Sequence, residues 1–72
     1  MGEKRKTIIP KAPVARILMK AGASRVSAEA ASVLTDKLED IARKIAEDAV
    51  RVSKHAGRKT VNESDVKLAA RR

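Results

Sequence analysis

Seventy-two residues suffice for one small domain, and a chain this short buries only about 60% of its unfolded surface, so a partner chain is expected to help. With no cysteine and one histidine, His55, disulfides and thiolate or histidine-based metal centres within one chain are excluded. Phe, Tyr and Trp are absent too, which removes the base-stacking surfaces of single-strand and RNA-recognition modules and leaves a net charge of +8, with a pI near 10.5, as a polyanion-binding signal.

The charge is concentrated at the two ends. Residues 1–35 set Lys4, Arg5, Lys6, Lys11, Arg16, Lys20 and Arg25 against Glu3 and Glu29. Residues 49–72 set Arg51, Lys54, Arg58, Lys59, Lys67, Arg71 and Arg72 against Glu63 and Asp65. The middle is slightly acidic, and its acids stand at helical spacing from bases, as Glu39 does from Arg43 and Asp40 from Lys44; this is the pattern of a solvated helix face.

Residues 1–9, polar and basic, read as a flexible N-terminal arm, with the folded domain occupying 10–72. No long apolar region follows the charged start and no apolar run approaches the roughly 18 residues of a membrane span, so an intracellular, cytoplasmic protein is expected. Pro13 suits the first turn of a helix, Ala12, Val14, Ala15, Ile17, Leu18 and Ala21 supply an apolar stripe, and Gly22 ends it. A first helix of about ten residues is predicted.

Ser27 is a helix N-cap, with Glu29 in the first turn where it complements the dipole. No Pro or Gly then occurs until Gly57, and Ala31, Leu34, Leu38, Ile41, Ile45, Ala49, Val52 and Ala56 follow one another at steps of three and four. That periodicity predicts one amphipathic helix of about 28 residues, on the order of 42 Å long. Gly57-Arg58-Lys59-Thr60-Val61 is a basic connection, after which Asn62 caps a third helix with Asp65 at the capping-box position and Val66, Leu68, Ala69 and Ala70 on its stripe.

Short–long–short is an awkward order for a monomer, because two helices of about ten residues cannot cover a helix of about 42 Å on both sides. The long helix also carries a second apolar flank, Ala30, Val33, Ala42, Ala46 and Val50, that a second copy crossing at mid-helix would cover. A coiled coil fits less well, since the heptad spacing slips between Ile45 and Val52.

Three segments in order, Pro-Lys-Ala-Pro-Val-Ala-Arg-Ile at 10–17, Ala-Gly-Ala-Ser-Arg-Val-Ser at 21–27 and Lys-His-Ala-Gly-Arg-Lys-Thr-Val at 54–61, resemble archaeal histones, and Asp65 with Ala69-Ala70-Arg71-Arg72 fits as well. The likeness spans residues 10–72. It implies an all-α histone fold assembled as a handshake dimer, with double-stranded DNA as partner and chromosome association. Function would then be packaging without sequence reading, by dimers that stack into higher oligomers along DNA; the homodimer could be replaced by a heterodimer with a paralogue. By the same resemblance Arg16 and Lys20 approach DNA from the first helix, Lys20 standing beside Met19 where many relatives have a base. Arg25 enters the minor groove, Ser27 opens a phosphate-binding helix terminus, and Arg58, Lys59 and Thr60 form the second-loop phosphate contacts. Arg58 and Asp65 are the pair that fixes this loop, Val52, His55 and Asp65 are the dimer–dimer contacts, and Gly22 is the point where stacked dimers approach. The other reading is a histone-fold subunit of a heterodimeric transcription or tethering factor.

Signals for other chemistry are weak. Lys59-Thr60 after Gly57 lacks the upstream glycine and strand of a P-loop, Asn62-Glu63-Ser64 matches a glycosylation sequon in a chain without a secretion signal, and no paired carboxylates or nucleophile–base set occurs. No enzyme, cofactor or metal is expected.

Overall fold

The computed structural model describes residues 7–71; the arm segment 1–6 and Arg72 lie outside the described residues. Three helices follow one another: α1, Lys11–Lys20; α2, Ala28–His55; and α3, Glu63–Ala70. The described residues contain no strand.

Each helix begins and ends for local reasons. Pro10 precedes α1 in an extended conformation and Pro13 sits in its first turn, where a missing N–H costs nothing. After Lys20 the chain turns at Gly22, whose φ is +121°. The Gly22 N–H donates to Met19 O (3.0 Å) and the Ala23 N–H to Leu18 O (3.2 Å), the paired bonds of a Schellman ending. At α2, Ser27 Oγ accepts the Ala30 N–H at 3.0 Å. The far end repeats the first device: Gly57 has φ +76°, its N–H donates to Lys54 O (2.9 Å), and the Arg58 N–H donates to Ser53 O (3.0 Å). Asn62 is extended ahead of α3, and its backbone N–H donates to the Asp65 carboxylate at 2.8 Å, the acid half of a capping box.

The chain divides after Asp40 into two compact units, with α2 contributing to both. In the first, Val14 of α1 and Ala31 and Thr35 of α2 are buried, and the Thr35 hydroxyl donates to Ala31 O one turn back at 2.7 Å. The Ile9 N–H donates to the Glu39 carboxylate, tying the segment ahead of α1 to α2. In the second unit the buried residues are Ala49, Ser53, Asp65 and Ala69.

Apart from Val14 the buried side chains are small or polar; Leu18, Leu34, Leu38 and Ile45 are half-buried, and several other large aliphatic ones are exposed. Val33 is 68% exposed and Ile17, Ile41, Val50, Val66 and Leu68 are also exposed. The solvated face of α2 carries the pairs Arg43–Glu47 (4.0 Å) and Asp48–Arg51 (2.6 Å), and α3 carries Glu63–Lys67 (2.8 Å). Exposed pairs of this kind add little to stability. Among the described residues no helix is long and apolar enough to cross a membrane.

Candidate nucleic-acid interface

The basic loop between α2 and α3 is held by one connected set of polar contacts. Arg58 turns back on α3: Nη1 donates to Asp65 Oδ2 (2.9 Å) and Nη2 to Asp65 Oδ1 (2.8 Å). Nη1 also donates to Thr60 O at 3.1 Å. Asp65 Oδ2 takes the Asn62 N–H as well, so three donor bonds converge on a carboxylate whose side chain is 4% exposed. From α2, the Ser53 hydroxyl lies 3.1 Å from both Arg58 O and Thr60 O.

These contacts set the charge states. The Asp65 carboxyl is held down to about 2, first by the Arg58 hydrogen bonds and then by the Asn62 N–H, with burial acting in the opposite direction. Arg58 is pushed up, chiefly by the same hydrogen bond to Asp65. Arg58 is therefore committed to the loop, while Lys59 and Thr60 beside it are exposed.

In the first unit the basic residues are arranged differently. Arg16 and Lys20 are exposed on α1 one turn apart, which places them on one face of the helix. Arg25 is exposed in the loop between Gly22 and Ser27, and Ser27 spends its hydroxyl on capping α2. Gly22 is exposed.

Val52 and His55 line an open recess on α2 together with Asp48, Arg51 and Ala56; Val52 is half-buried and His55 exposed. Asp65, grouped with them from the sequence, turns its carboxylate into its own chain toward Arg58 and Asn62. Among the described residues no group of three or more His, Cys, Asp or Glu side chains is placed to hold a metal ion.

Two contributors are not legible from residue type. Ser53 sits one position beyond Val52 beside an otherwise apolar stripe, where nothing in its type or spacing marks it. Glu39 stands at helical spacing from Arg43 and reads as part of the solvated face, whereas its carboxylate receives the Ile9 N–H from 30 residues away.

Residues 7–70 match the family described as histone-like transcription factor (CBF/NF-Y) and archaeal histone. The chain belongs to that family. Its three helices in short–long–short order are the histone fold. This histone-fold chain is 46% identical over 63 residues to one subunit of the archaeal histone HAN1 of Thermococcus zilligii, covering 88% of this chain and 94% of the relative. It is 52% identical over 63 residues, with the same coverage, to probable archaeal histone 3 of Methanocaldococcus jannaschii. Both relatives therefore align along nearly their whole length with this chain.

Proposed function

We propose that two copies of this chain interlock through their long helices, and that the dimer binds double-stranded DNA through its phosphates, wrapping and compacting it with little sequence preference on the chromosome. The observation that carries this reading is the second loop. Its one arginine is turned inward to Asp65 and its Arg58 and Thr60 carbonyls to Ser53, while Lys59 and Thr60 are exposed in a chain with net charge +8 and relatives named archaeal histones.

The exposed aliphatic groups support the dimer. Val33, Ile41 and Val50 lie along α2, and leaving such area in water forfeits about 25 cal/mol per Å². A partner crossing α2 covers them. Head-to-tail interlocking then sets the first loop of one copy beside the second loop of the other, so that both basic ends of the sequence meet on one surface.

In this arrangement Lys59 and Thr60 meet phosphate oxygens and Arg16 and Lys20 add charge from α1. The α2 terminus at Ser27 offers backbone N–H groups, and Arg25 enters the minor groove. An arginine there responds to groove width and potential rather than to base identity, so recognition follows bendability more than sequence. Dimers add along DNA through the Val52 and His55 surface and approach one another at Gly22. The bases ahead of the Ile9–Glu39 tie, Lys4, Arg5 and Lys6, add charge to the phosphates.

Duplex titration across about 50 to 200 mM salt tests the reading, because a surface neutralising several phosphates loses orders of magnitude in affinity over that range. Nuclease digestion of the reconstituted complex should leave protected lengths rising in a regular step. Salt-independent binding, or equal affinity for single-stranded RNA, would overturn the proposal.

A further inference from the structure

Ser53 lies beneath the second loop rather than on the surface proposed to meet DNA: it is 2% exposed, and its hydroxyl serves no bond within its own helix. The contrast is Thr35, whose equally buried hydroxyl simply bonds back to Ala31 O. Ser53 instead reaches out of α2 to two loop carbonyls, Arg58 O and Thr60 O, both at 3.1 Å, while its own carbonyl accepts the Arg58 N–H at 3.0 Å. Arg58 is thus tied to Ser53 through both its N–H and its C=O. Thr60 O is held twice, by Ser53 Oγ and by Arg58 Nη1. Arg58 O has no other donor among the described residues.

The two tied carbonyls bracket Lys59 and Thr60. A trans peptide sets its N–H opposite its C=O, so drawing those oxygens inward turns the amides of Lys59 and Val61 away from Ser53. The hydroxyl therefore determines which edge of the loop faces outward.

We infer that Ser53 is a positioning residue for the second loop, its buried hydroxyl fixing the carbonyls on either side of Lys59-Thr60 so that this edge is preset for a phosphate. This rests on the phosphate-binding reading of the loop proposed above. Alanine at 53 leaves the helix intact and adds no volume, but it removes the single hydroxyl proton that Arg58 O and Thr60 O share, leaving Thr60 O with Arg58 Nη1 alone.

The test compares the wild-type chain with Ser53→Ala, Ser53→Thr, Thr35→Val and Lys59→Ala. Each is titrated with a duplex at several salt concentrations, and loop amide hydrogen exchange is followed by NMR without DNA. Ser53→Ala is expected to weaken duplex affinity about fivefold to tenfold, the scale of one hydrogen bond. Its salt slope should flatten toward that of Lys59→Ala, by about 0.9 for each phosphate no longer neutralised. Amides at 59–61 should exchange faster, and Ser53→Thr, which keeps the hydroxyl, should recover part of the affinity. Thr35→Val loses a buried hydroxyl of the other unit and should leave the slope unchanged. Equal slopes and affinities for Ser53→Ala and Thr35→Val, or unaltered loop exchange in Ser53→Ala, overturn the assignment of Ser53. A wild-type chain without duplex affinity overturns the DNA reading instead, and the exchange data then still decide whether Ser53 holds the loop.

Discussion

Arg58 grips Asp65 from seven residues away with two hydrogen bonds, one from each terminal guanidinium nitrogen. The same carboxylate caps α3 through the Asn62 N–H, so one side chain closes the loop and starts the helix. Arg58→Ala would leave a carboxylate of 4% side-chain exposure with its main donor gone. The expected result is a urea midpoint well below that of Lys67→Ala. Lys67 pairs with Glu63 where both are solvated, and its loss should fall within about 0.5 kcal/mol. Arg58→Lys keeps the charge but not the two-point fork and should fall between them.

Acid should act on the same pair. The Asp65 carboxyl lies near 2, below its ordinary 3.8, so the folded state favours the ionised form. A depressed carboxylate contributes stability that is complete above its unfolded value and is lost as pH falls toward the folded one. The contribution is therefore present at neutrality and disappears between about pH 4 and pH 2. Urea unfolding at stepped pH should show Asp65→Asn less stable than wild type at about pH 6, with the gap narrowing through that window. A gap that stays constant across the whole acid range would mean that the carboxylate does not titrate with folding.

Most of the architecture is readable because it is written in local chemistry. Gly22 and Gly57 mark helix ends where the backbone passes into positive φ, and Ser27 and Asn62 mark starts where an exposed amide needs a partner. The unbroken three-and-four spacing from Ala31 to Ala56 could only be a helix, and α2 spans Ala28–His55. Ser53 and Glu39 escape such reading because their partners are not local in the same sense. Whether a serine beside an apolar stripe is buried depends on which carbonyls the next loop turns toward it. Whether Glu39 faces Arg43 or an amide 30 residues earlier depends on how the segment before α1 returns to α2.

The two glycines separate backbone strain from packing, since a Cβ at either would meet no atom within 4 Å. At Gly57, φ +76° is near the left-handed well, so Gly57→Ala should cost about 1–2 kcal/mol and Gly57→Asn less. At Gly22, φ +121° lies well outside that well, so Gly22→Ala should cost more and Gly22→Asn should give no relief. Thermal unfolding of the four variants gives the order directly.

Val33 tests the dimer. At 68% exposure it is a surface residue of the single chain, and Val33→Lys in a monomer should shift stability by no more than about 0.5 kcal/mol. In an interlocked pair the same change puts a charge into a buried apolar contact. The variant should then dissociate at micromolar concentration in sedimentation equilibrium, and wild-type melting should rise with protein concentration. A wild-type melting temperature independent of concentration would count against interlocking.

Arg25 and Lys67 give the sharpest contrast on DNA. Both are exposed cations, so removing either changes the net charge equally. Lys67 lies on α3 beside Glu63, which already offsets it. Arg25 stands in the loop between the α1 ending at Gly22 and the α2 cap at Ser27, with no acidic partner among the described residues. If general charge attraction were all that mattered, Arg25→Ala and Lys67→Ala would weaken duplex binding alike. Minor-groove insertion predicts otherwise. Arg25→Ala should lose affinity about tenfold and protect shorter lengths from nuclease, because the arginine offsets part of the energy of bending. Lys67→Ala should keep the wild-type digestion pattern. Substituting Arg25→Lys separates the two effects further: it restores the charge and hence the salt slope, but a strongly hydrated ammonium enters a narrow groove less readily than a guanidinium, so the protected length should recover only in part.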